Sequence, residues 1–295
     1  MSRSELAAPI ESVWHDRSGS IFHVQGWPAE GQGPVVLVHH GLGEHVGRYE
    51  TFARHLVPAG FPVWGYDARG HGRSGGKRGH VDGLSQLAED LEQLIPVLLE
   101  RSGRDEAVLL GHSMGAAAVL WYLTTREAHP ALRKVMISAP PVHVPRTPLK
   151  AVQLAMARVV RRIKPDFTLP SALPPEQISS YPPEVRRYEE DPLIHDRVSA
   201  AIGWSLLTQP PEVLSRVDRV RLPTLIWHGA DDRIASVDGA RRLSAALPDA
   251  RFQVFEGARH EVHHERPDIV ERLFQLVLGF LTEGEARASA SAERG

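Results

Sequence analysis

Residues 111–115 place a serine between two glycines, in the order Gly-His-Ser-Met-Gly, directly after the apolar run 107–110. The residues that follow, 116–123, are small or apolar and predict a helix. A serine at a sharp strand-to-helix turn keeps its hydroxyl exposed, and the flanking glycines leave room for the bend. The helix N-terminus also favours negative charge that develops beside it. We therefore predict that Ser113 is a nucleophile at the end of a buried strand, rather than an incidental serine in a turn of small residues.

Two later loops carry the acid and the base that a serine nucleophile needs. The predicted strand 222–229 ends in glycine and precedes Asp231 and Asp232. The predicted strand 252–257 also ends in glycine, and His260 follows it. In hydrolases with this kind of nucleophile turn the order along the chain is serine, acid, histidine, as it is here. Because loops after parallel strands gather at one edge of a sheet, we predict that one aspartate and the histidine meet the serine.

A glycine-rich turn near the N-terminus predicts an oxyanion hole. The strand-like run 35–39 leads into this turn, where Gly41 and Gly43 allow the backbone to bend. We predict that the amide of Leu42 and the amide of Met114, the residue after the nucleophile, donate hydrogen bonds to a developing oxyanion. Both donors are backbone groups, so their side chains can vary without loss of the role.

Composition excludes several classes of protein. The chain has 295 residues, enough for one large α/β domain with an insertion, and its net charge of −2 lacks the basic excess of a nucleic-acid binder. It contains no cysteine, so we expect no disulfide, thiolate chemistry or cysteine-bound metal. The N-terminus lacks the apolar run of a signal peptide, and no stretch of about 18 apolar residues occurs, so we expect a cytoplasmic protein.

The alternation of elements predicts how the chain is divided. Strands alternate with helices over most of the sequence, which predicts an α/β fold with a mostly parallel central sheet flanked by helices. The alternation breaks in a proline-rich middle segment and then resumes. We predict a core of residues 1–139 and 220–283, an inserted helical cap at residues 140–219, and a disordered tail at residues 284–295.

One segment of the predicted cap has the spacing of an amphipathic helix. Its apolar residues recur at intervals of three and four, and they are Leu149, Val152, Met156, Val159 and Ile163. Basic residues surround them without an acidic residue. The simplest interpretation is a cap helix that packs its apolar face over the sheet and leaves its arginines in solvent. The alternative is an interfacial helix that makes transient contact with anionic lipid and admits an acyl chain.

These motifs together resemble the monoacylglycerol lipase and lysophospholipase branch of the α/β-hydrolases over most of the chain. The resemblance rests on residues 40–49, 67–75 and 191–194, on the nucleophile turn, and on the loops that carry the acid and the histidine. It implies the α/β-hydrolase fold. In that family the acid and the histidine each fall three places after a glycine, which selects Asp232 and His260.

The resemblance also implies a reaction and a substrate. It implies hydrolysis of monoacylglycerols to glycerol and fatty acid through an acyl-enzyme, with no cofactor and no metal. Residues that match Glu44, Arg48, Tyr188 and His263 line the site of the leaving alcohol in the family, although Glu44 and Arg48 also fit an ordinary pair at a helix start. A lysophospholipase or a general carboxylesterase with the same triad is the main alternative, because the proline-rich cap matches no relative closely.

Two other classes of function have weaker support. His260, Glu261 and His264 match the H-E-x-x-H signature of zinc proteases, which requires both histidines on one face of a helix. Here the motif directly follows a strand and a glycine, and the next helix is predicted to begin near Pro267, so the zinc interpretation is disfavoured. A non-catalytic binding member of the fold usually lacks one triad residue, whereas this chain keeps all three.

Overall fold

The computed structural model describes residues 6–143, 148–171 and 173–283. Its strands and helices follow one another along the chain in this order: β1 (Ile10–His15), β2 (Ile21–Trp27), β3 (Val35–His39), α1 (Glu50–Leu56), β4 (Val63–Tyr66), α2 (Leu84–Ser102), β5 (Ala107–His112), α3 (Met114–Thr125), β6 (Leu132–Ser138), α4 (Pro148–Ile163), β7 (Thr168–Pro170), α5 (Pro182–Glu190), β8 (Arg197–Ser199), α6 (Ala200–Thr208), α7 (Pro210–Ser215), β9 (Thr224–Gly229), α8 (Val237–Ala246), β10 (Ala250–Phe255) and α9 (Pro267–Thr282).

Eight of these strands form one sheet in the order β1-β2-β4-β3-β5-β6-β9-β10. The strands from β4 to β10 in this order pair in parallel, whereas β1 with β2 and β2 with β4 pair antiparallel. The predicted mostly parallel sheet is therefore confirmed. Because β3, β5, β9 and β10 run in the same direction, the loops that follow them meet at one edge of the sheet.

The apolar core covers both faces of the sheet. Val35 and Leu37 belong to a cluster that includes α2 and α3, whereas Val36 and Val38 belong to a second cluster that includes α1 and α9. Successive side chains of a strand point to opposite faces, so a strand covered on both faces is a continuous apolar run in sequence. This is the physical reason that the run 107–110 predicted a buried strand correctly.

Some element boundaries differ from the predicted ones. The strand predicted at residues 222–229 begins at Thr224, after a proline that has no N–H for the sheet. The strand predicted at residues 252–257 ends at Phe255, before Gly257, whose φ of +72° turns the chain away. The helix predicted to begin near Pro267 does begin there.

The segment between β6 and β9 contains helices α4 to α7 and a small antiparallel pair formed by β7 and β8. The predicted amphipathic segment is the helix α4, but its apolar face is not covered throughout. Val159 and Ile163 are 56% and 79% exposed, so the interpretation that this face packs over the sheet is wrong at its C-terminal end. There Arg161 contacts α6, with its guanidinium 5.5 Å from the ring of Trp204, so a basic residue makes this contact while the neighbouring apolar residues stay exposed. The side chains of Leu149, Val152 and Met156, and the predicted tail at residues 284–295, lie outside the described residues.

No helix within the described ranges is both long enough and apolar enough to cross a membrane.

Candidate active site

Ser113 occupies a strained turn between β5 and α3. Its φ is +51° and its ψ is −115°, a backbone conformation that a residue with a side chain rarely adopts. The turn is also crowded, because a Cβ added at Gly115 would lie 2.0 Å from the carbonyl oxygen of His39. A Cβ added at Gly111 would lie 2.6 Å from the carbonyl oxygen of Gly115. The two glycines of the motif therefore allow α3 to pack tightly behind the serine.

Asp232 lies in the loop after β9, and its side chain is completely buried. Its Oδ1 accepts hydrogen bonds from the amides of Ile234 at 2.7 Å and Ala235 at 3.0 Å. Its Oδ2 lies 2.7 Å from Nδ1 of His260 and 2.9 Å from Nε2 of His228. Burial alone would raise the pKa of Asp232, but the two imidazoles hold that pKa well below its usual range. By contrast, the neighbouring Asp231 is exposed.

His260 lies in the loop after β10 and is almost fully buried. Its ring lies 4.8 Å, centroid to centroid, from that of His112, the residue before Ser113. Burial alone would lower the pKa of His260, but the negative charge of Asp232 outweighs burial and raises it. Because Nδ1 is bonded to Asp232, Nε2 is the nitrogen left to exchange a proton with a substrate or a hydroxyl.

A cavity of about 590 Å³ joins these residues, since Ser113, Asp232 and His260 all line it. Leu42 and Met114 line it as well, and neither of their amides has a hydrogen-bond partner among the described residues. One part of the wall is apolar, and its residues include Leu173, Ile178, Val198, Leu206 and Leu207. Another part is polar and is formed by Glu44, Tyr188 and Glu261.

A buried charge network, formed by Glu44, Arg48, Glu261 and His264, supports the polar wall. Arg48 lies between the carboxylates, donating from Nε to Glu44 Oε2 at 3.2 Å and from its terminal nitrogen to Glu261. Its guanidinium also lies 5.0 Å from the ring centre of Tyr188. Burial and the charge of Glu261 raise the pKa of Glu44. Burial would also raise the pKa of Glu261, but Arg48 and His264 hold it well below its usual range.

Glu44 also shapes the predicted oxyanion turn. Its Oε1 accepts a hydrogen bond from the amide of Gly41 at 2.5 Å and one from the hydroxyl of Tyr49 at 3.1 Å. The first bond closes the turn that carries Leu42. The carboxylate therefore connects the polar wall of the cavity with the backbone that presents the amide of Leu42.

The structure brings only part of the predicted alcohol site to the cavity. Glu44 and Tyr188 line it, whereas Arg48 and His263 are not among its lining residues. His263 lies behind the wall, its ring 5.5 Å from that of Tyr49, and neither ring nitrogen has a partner among the described residues. Glu261 lines the cavity as well, although in the sequence it stands out only as part of the H-E-x-x-H match.

The H-E-x-x-H residues do not form the arrangement that the zinc signature requires. His260 is bonded to Asp232, whereas His264 has its Nδ1 2.7 Å from Glu261 and its Nε2 3.1 Å from the carbonyl oxygen of Arg48. Glu261, His263 and His264 have ligand atoms within 4.8 Å of one another, but Arg48 is already bonded to that glutamate. Ring nitrogens of His260 and His264 are thus bonded to two different carboxylates, those of Asp232 and Glu261, rather than to one shared metal ion.

Comparison with known proteins identifies the family of the chain. The chain matches the family described as Hydrolase_4, serine aminopeptidase S33, over residues 32–267. It is 32% identical over 234 residues to a monoacylglycerol lipase of Mycolicibacterium smegmatis, which covers 78% of this chain and 82% of that protein. The chain belongs to this family of α/β-hydrolases. It is a carboxylic ester hydrolase of the monoacylglycerol lipase-like type.

A further relative and two solved structures are also similar to this chain. Human monoglyceride lipase is 28% identical in an alignment that covers 98% of this chain and 97% of the human protein. The crystal structure of a Paleococcus ferrophilus monoacylglycerol lipase superposes with a TM-score of 0.76 at 32% identity, covering 93% of this chain and 98% of that one. A soluble variant of Saccharomyces cerevisiae monoglyceride lipase, in complex with a substrate analog, has a TM-score of 0.83 at 20% identity and covers 94% and 96%. The last of these shows the shared fold.

Proposed function

We propose that this hydrolase cleaves monoacylglycerols to glycerol and fatty acid with Ser113, His260 and Asp232 as its catalytic triad. The observation that carries the proposal is the 2.7 Å bond between His260 Nδ1 and Asp232 Oδ2 in the wall of the cavity that also holds Ser113. The strained backbone of the serine and the similarity to monoacylglycerol lipases support it.

The mechanism follows from these positions. His260 takes the proton of the Ser113 hydroxyl as the oxygen attacks the ester carbonyl, and Asp232 fixes the tautomer and stabilises the imidazolium. The amides of Leu42 and Met114 donate to the oxyanion, and each such donor contributes about a hundredfold or more in rate. His260 then protonates the leaving glycerol oxygen, and water repeats the cycle on the acyl-enzyme.

The two parts of the cavity wall match the two parts of such a substrate. We propose that residues 140–219 form a cap on a core of residues 1–139 and 220–283. Apolar side chains from the cap segment, such as Leu206 and Leu207, would bury the acyl chain, which contributes about 0.8 kcal/mol for each methylene. Glu44 and Glu261 would accept hydrogen bonds from the glycerol hydroxyls, and the hydroxyl of Tyr188 would donate one to a glycerol oxygen. Arg48 and His263 do not line the cavity, so they would influence the glycerol site indirectly, through the residues that form its wall.

We also propose that the cap makes transient contact with anionic membranes, from which the lipid is drawn. Val159, Ile163 and Leu169 are exposed, and the exposed basic residues Arg158, Arg162 and Lys164 lie beside them. Apolar side chains flanked by cations are suited to an anionic lipid surface. The protein should co-sediment with vesicles of mixed phosphatidylglycerol and phosphatidylcholine, and it should not co-sediment with vesicles of pure phosphatidylcholine. Ile163→Asp should weaken binding to the mixed vesicles. Equal binding to both kinds of vesicle would contradict the proposal.

A substrate profile tests the function. The purified enzyme is assayed on 1- and 2-monoacylglycerols, lysophospholipids and short p-nitrophenyl esters, with Ser113→Ala as the control. We expect the highest kcat/KM on monoacylglycerols, complete loss of turnover in the control, and labelling of Ser113 by a fluorophosphonate. Higher kcat/KM on lysophospholipids would instead identify a lysophospholipase. Activity that survives Ser113→Ala and disappears with a chelator would favour the zinc alternative and contradict the triad.

A further inference from the structure

A second imidazole lies against the carboxylate that holds the catalytic histidine. His228 is in β9, and its ring is completely buried. Its Nε2 lies 2.9 Å from Oδ2 of Asp232, the same oxygen that accepts from His260. The same Nε2 lies 3.2 Å from the carbonyl oxygen of Ala235. His228 belongs to no motif that the sequence reasoning singled out.

The neighbours of His228 determine which of its nitrogens carries the proton. Both atoms beside Nε2 are oxygen acceptors, so Nε2 must be the donor. Nδ1 is buried and has no partner among the described residues. A proton on Nδ1 would therefore be a buried donor without an acceptor, which costs about 1–3 kcal/mol. Nε2 therefore carries the proton, and it lies between the carboxylate of Asp232 and the carbonyl oxygen of Ala235.

This donor completes the set of groups that fix the carboxylate. Two amides donate to Oδ1 of Asp232, Nδ1 of His260 is bonded to Oδ2, and Nε2 of His228 lies 2.9 Å from the same Oδ2. With both oxygens bonded, the carboxylate cannot rotate without breaking hydrogen bonds in a dry environment, where each bond is stronger than in water. The orientation of Oδ2 in turn sets the orientation of the ring of His260, because Nδ1 of that ring is bonded to it.

We propose that His228 is a positioning residue, which acts through Asp232 to hold His260 in line with the nucleophile and to moderate the basicity of that histidine. The proposal rests on the triad assigned under the proposed function. His228 touches neither the cavity nor any atom that would react, since it is not among the lining residues. Its effect would therefore fall on kcat and on the pH profile, and not on KM.

Two variants separate the hydrogen bond from the bulk of the side chain. His228→Gln keeps an N–H donor the same number of bonds from Cα as Nε2, whereas His228→Leu fills the space without a donor. We expect His228→Leu to lower kcat about ten- to a hundredfold, the rate equivalent of one hydrogen bond to a charged group. We expect KM within about twofold of the parent value and kcat of His228→Gln within about threefold of it.

The pH profile gives a readout that a purely structural role would not change. Asp232, Glu261 and Glu44 face His260 as acids, and His112 faces it as a second imidazole. None of these groups changes in either variant. A carboxylate that has lost the N–H group of a neighbouring side chain is a stronger acceptor, so it stabilises the imidazolium more. The acidic limb of kcat/KM should therefore move to higher pH in His228→Leu and return towards the parent position in His228→Gln.

The rate of fluorophosphonate labelling at Ser113, measured over the same pH range, makes the test independent of the choice of substrate. Failure to label the parent enzyme would overturn the proposed triad. A labelled parent, with His228→Leu labelled at the same rate and with the same pH profile, would overturn the role of His228 alone. The role of His228 would also be overturned if His228→Leu and His228→Gln lost the same amount of kcat and neither moved the acidic limb of kcat/KM. If His228→Leu does not fold, His228→Asn decides, since its shorter amide cannot reach Oδ2 and should lack the rescue seen with glutamine.

Discussion

At the scale of single residues, two adjacent aspartates after β9 have opposite environments. Asp232 is buried and bonded to His260, whereas Asp231 is exposed. We predict that Asp232→Asn lowers kcat about 10³- to 10⁴-fold, because an amide can donate to Nδ1 and favour the wrong tautomer of the histidine. Asp231→Asn is the matched control and should keep kcat within about twofold. Circular dichroism checks that both variants are folded. Comparable losses of kcat in the two folded variants would contradict the assignment.

The same histidine determines how activity depends on pH. Catalysis needs His260 neutral at Nε2, and the charge of Asp232 raises its pKa despite burial. The protonated, inactive form therefore persists to a higher pH than for an ordinary histidine. We predict that kcat/KM rises with pH along a limb whose midpoint lies above about 6.5, the usual histidine value. A profile measured from about pH 5 to pH 9 that is already flat at pH 6 would show that this histidine is not the base.

The charge network behind the polar wall gives a prediction about stability. Arg48 lies between Glu44 and Glu261, and all three side chains are at least 93% buried, so removing the cation leaves two buried carboxylates without their shared arginine. We predict that Arg48→Met lowers the free energy of unfolding by about 3–5 kcal/mol at neutral pH. An unpaired buried carboxylate has a raised pKa and binds a proton as pH falls, so the loss should be smaller near about pH 5 than near pH 8.

A second arginine in the next turn of the chain is the control for this network. Arg54 pairs with Glu50 four residues away, and both side chains are exposed. Arg54→Met should change the free energy of unfolding by no more than about 0.5 kcal/mol, because solvent screens an exposed pair. Chemical denaturation of both variants at two pH values checks the contrast. Equal effects would mean that burial does not set the strength of the Arg48 contacts.

These residues also show what a sequence can predict about a site. Ser113, Asp232 and His260 each follow a strand closely, so local pattern and chain order marked the loops that carry them, and the family resemblance selected Asp232 over Asp231. The contact of Arg48 with Glu261 spans 213 residues, and that of His228 with Asp232 depends on how a loop folds back on its own strand. Pairings of this kind leave no periodic signal in one sequence. They follow only from the packed structure.

At the scale of elements, the close packing of α3 behind β5 depends on a glycine that has no room for a side chain. A Cβ at Gly115 would lie 2.0 Å from the carbonyl oxygen of His39 and 2.6 Å from that of His40, and neither backbone can move without disturbing the sheet. We predict that Gly115→Ala lowers the free energy of unfolding by about 1–3 kcal/mol and slows labelling of Ser113, since α3 must move away from the turn.

Another glycine in a helix provides the opposite expectation. Gly279 lies in α9, is exposed, and has nothing within 4 Å of an added Cβ. Gly279→Ala should raise the free energy of unfolding by about 0.5–1 kcal/mol, because it reduces the freedom of the unfolded chain at no steric cost. Thermal and urea unfolding of the two variants checks both signs. A stabilising Gly115→Ala would show that the turn is less tightly packed than the structure indicates.

The elements that sequence predicted well are those buried on both faces. The core strands have continuous apolar runs, and helix α3 is buried on all sides, so composition alone marked them. The edge strand β1 was missed, because its sequence mixes polar and apolar residues and four of its six residues are exposed, with none fully buried. Helix α4 was recognised from its period, but the direction of its apolar face was not, because a period fixes a stripe and not the partner that covers it.

At the scale of the whole molecule, the segment after α5 is hydrogen-bonded to the turn that carries the predicted oxyanion donor. Asp191 Oδ2 lies 2.8 Å from Nε2 of His45, and the amide of His195 donates to the carbonyl oxygen of Gly43 at 2.9 Å. Burial would raise the pKa of Asp191, but the bond with His45 lowers it, so the carboxylate is ionised at neutral pH. The proposed cap and the backbone around Leu42 are thus held by the same contacts.

We therefore predict that Asp191→Ala lowers kcat about tenfold, the rate equivalent of one hydrogen bond to a charged group, even though Asp191 does not line the cavity. Loss of the bond frees His45, and with it the turn whose amides must be fixed before the substrate arrives. Amide hydrogen exchange should rise both in residues 40–48 and in residues 190–196, whereas Asp196→Ala, which removes a side chain that is 67% exposed, should leave both unchanged. Faster exchange confined to residues 190–196, with kcat unaltered, would show that the oxyanion turn keeps its shape without the cap segment.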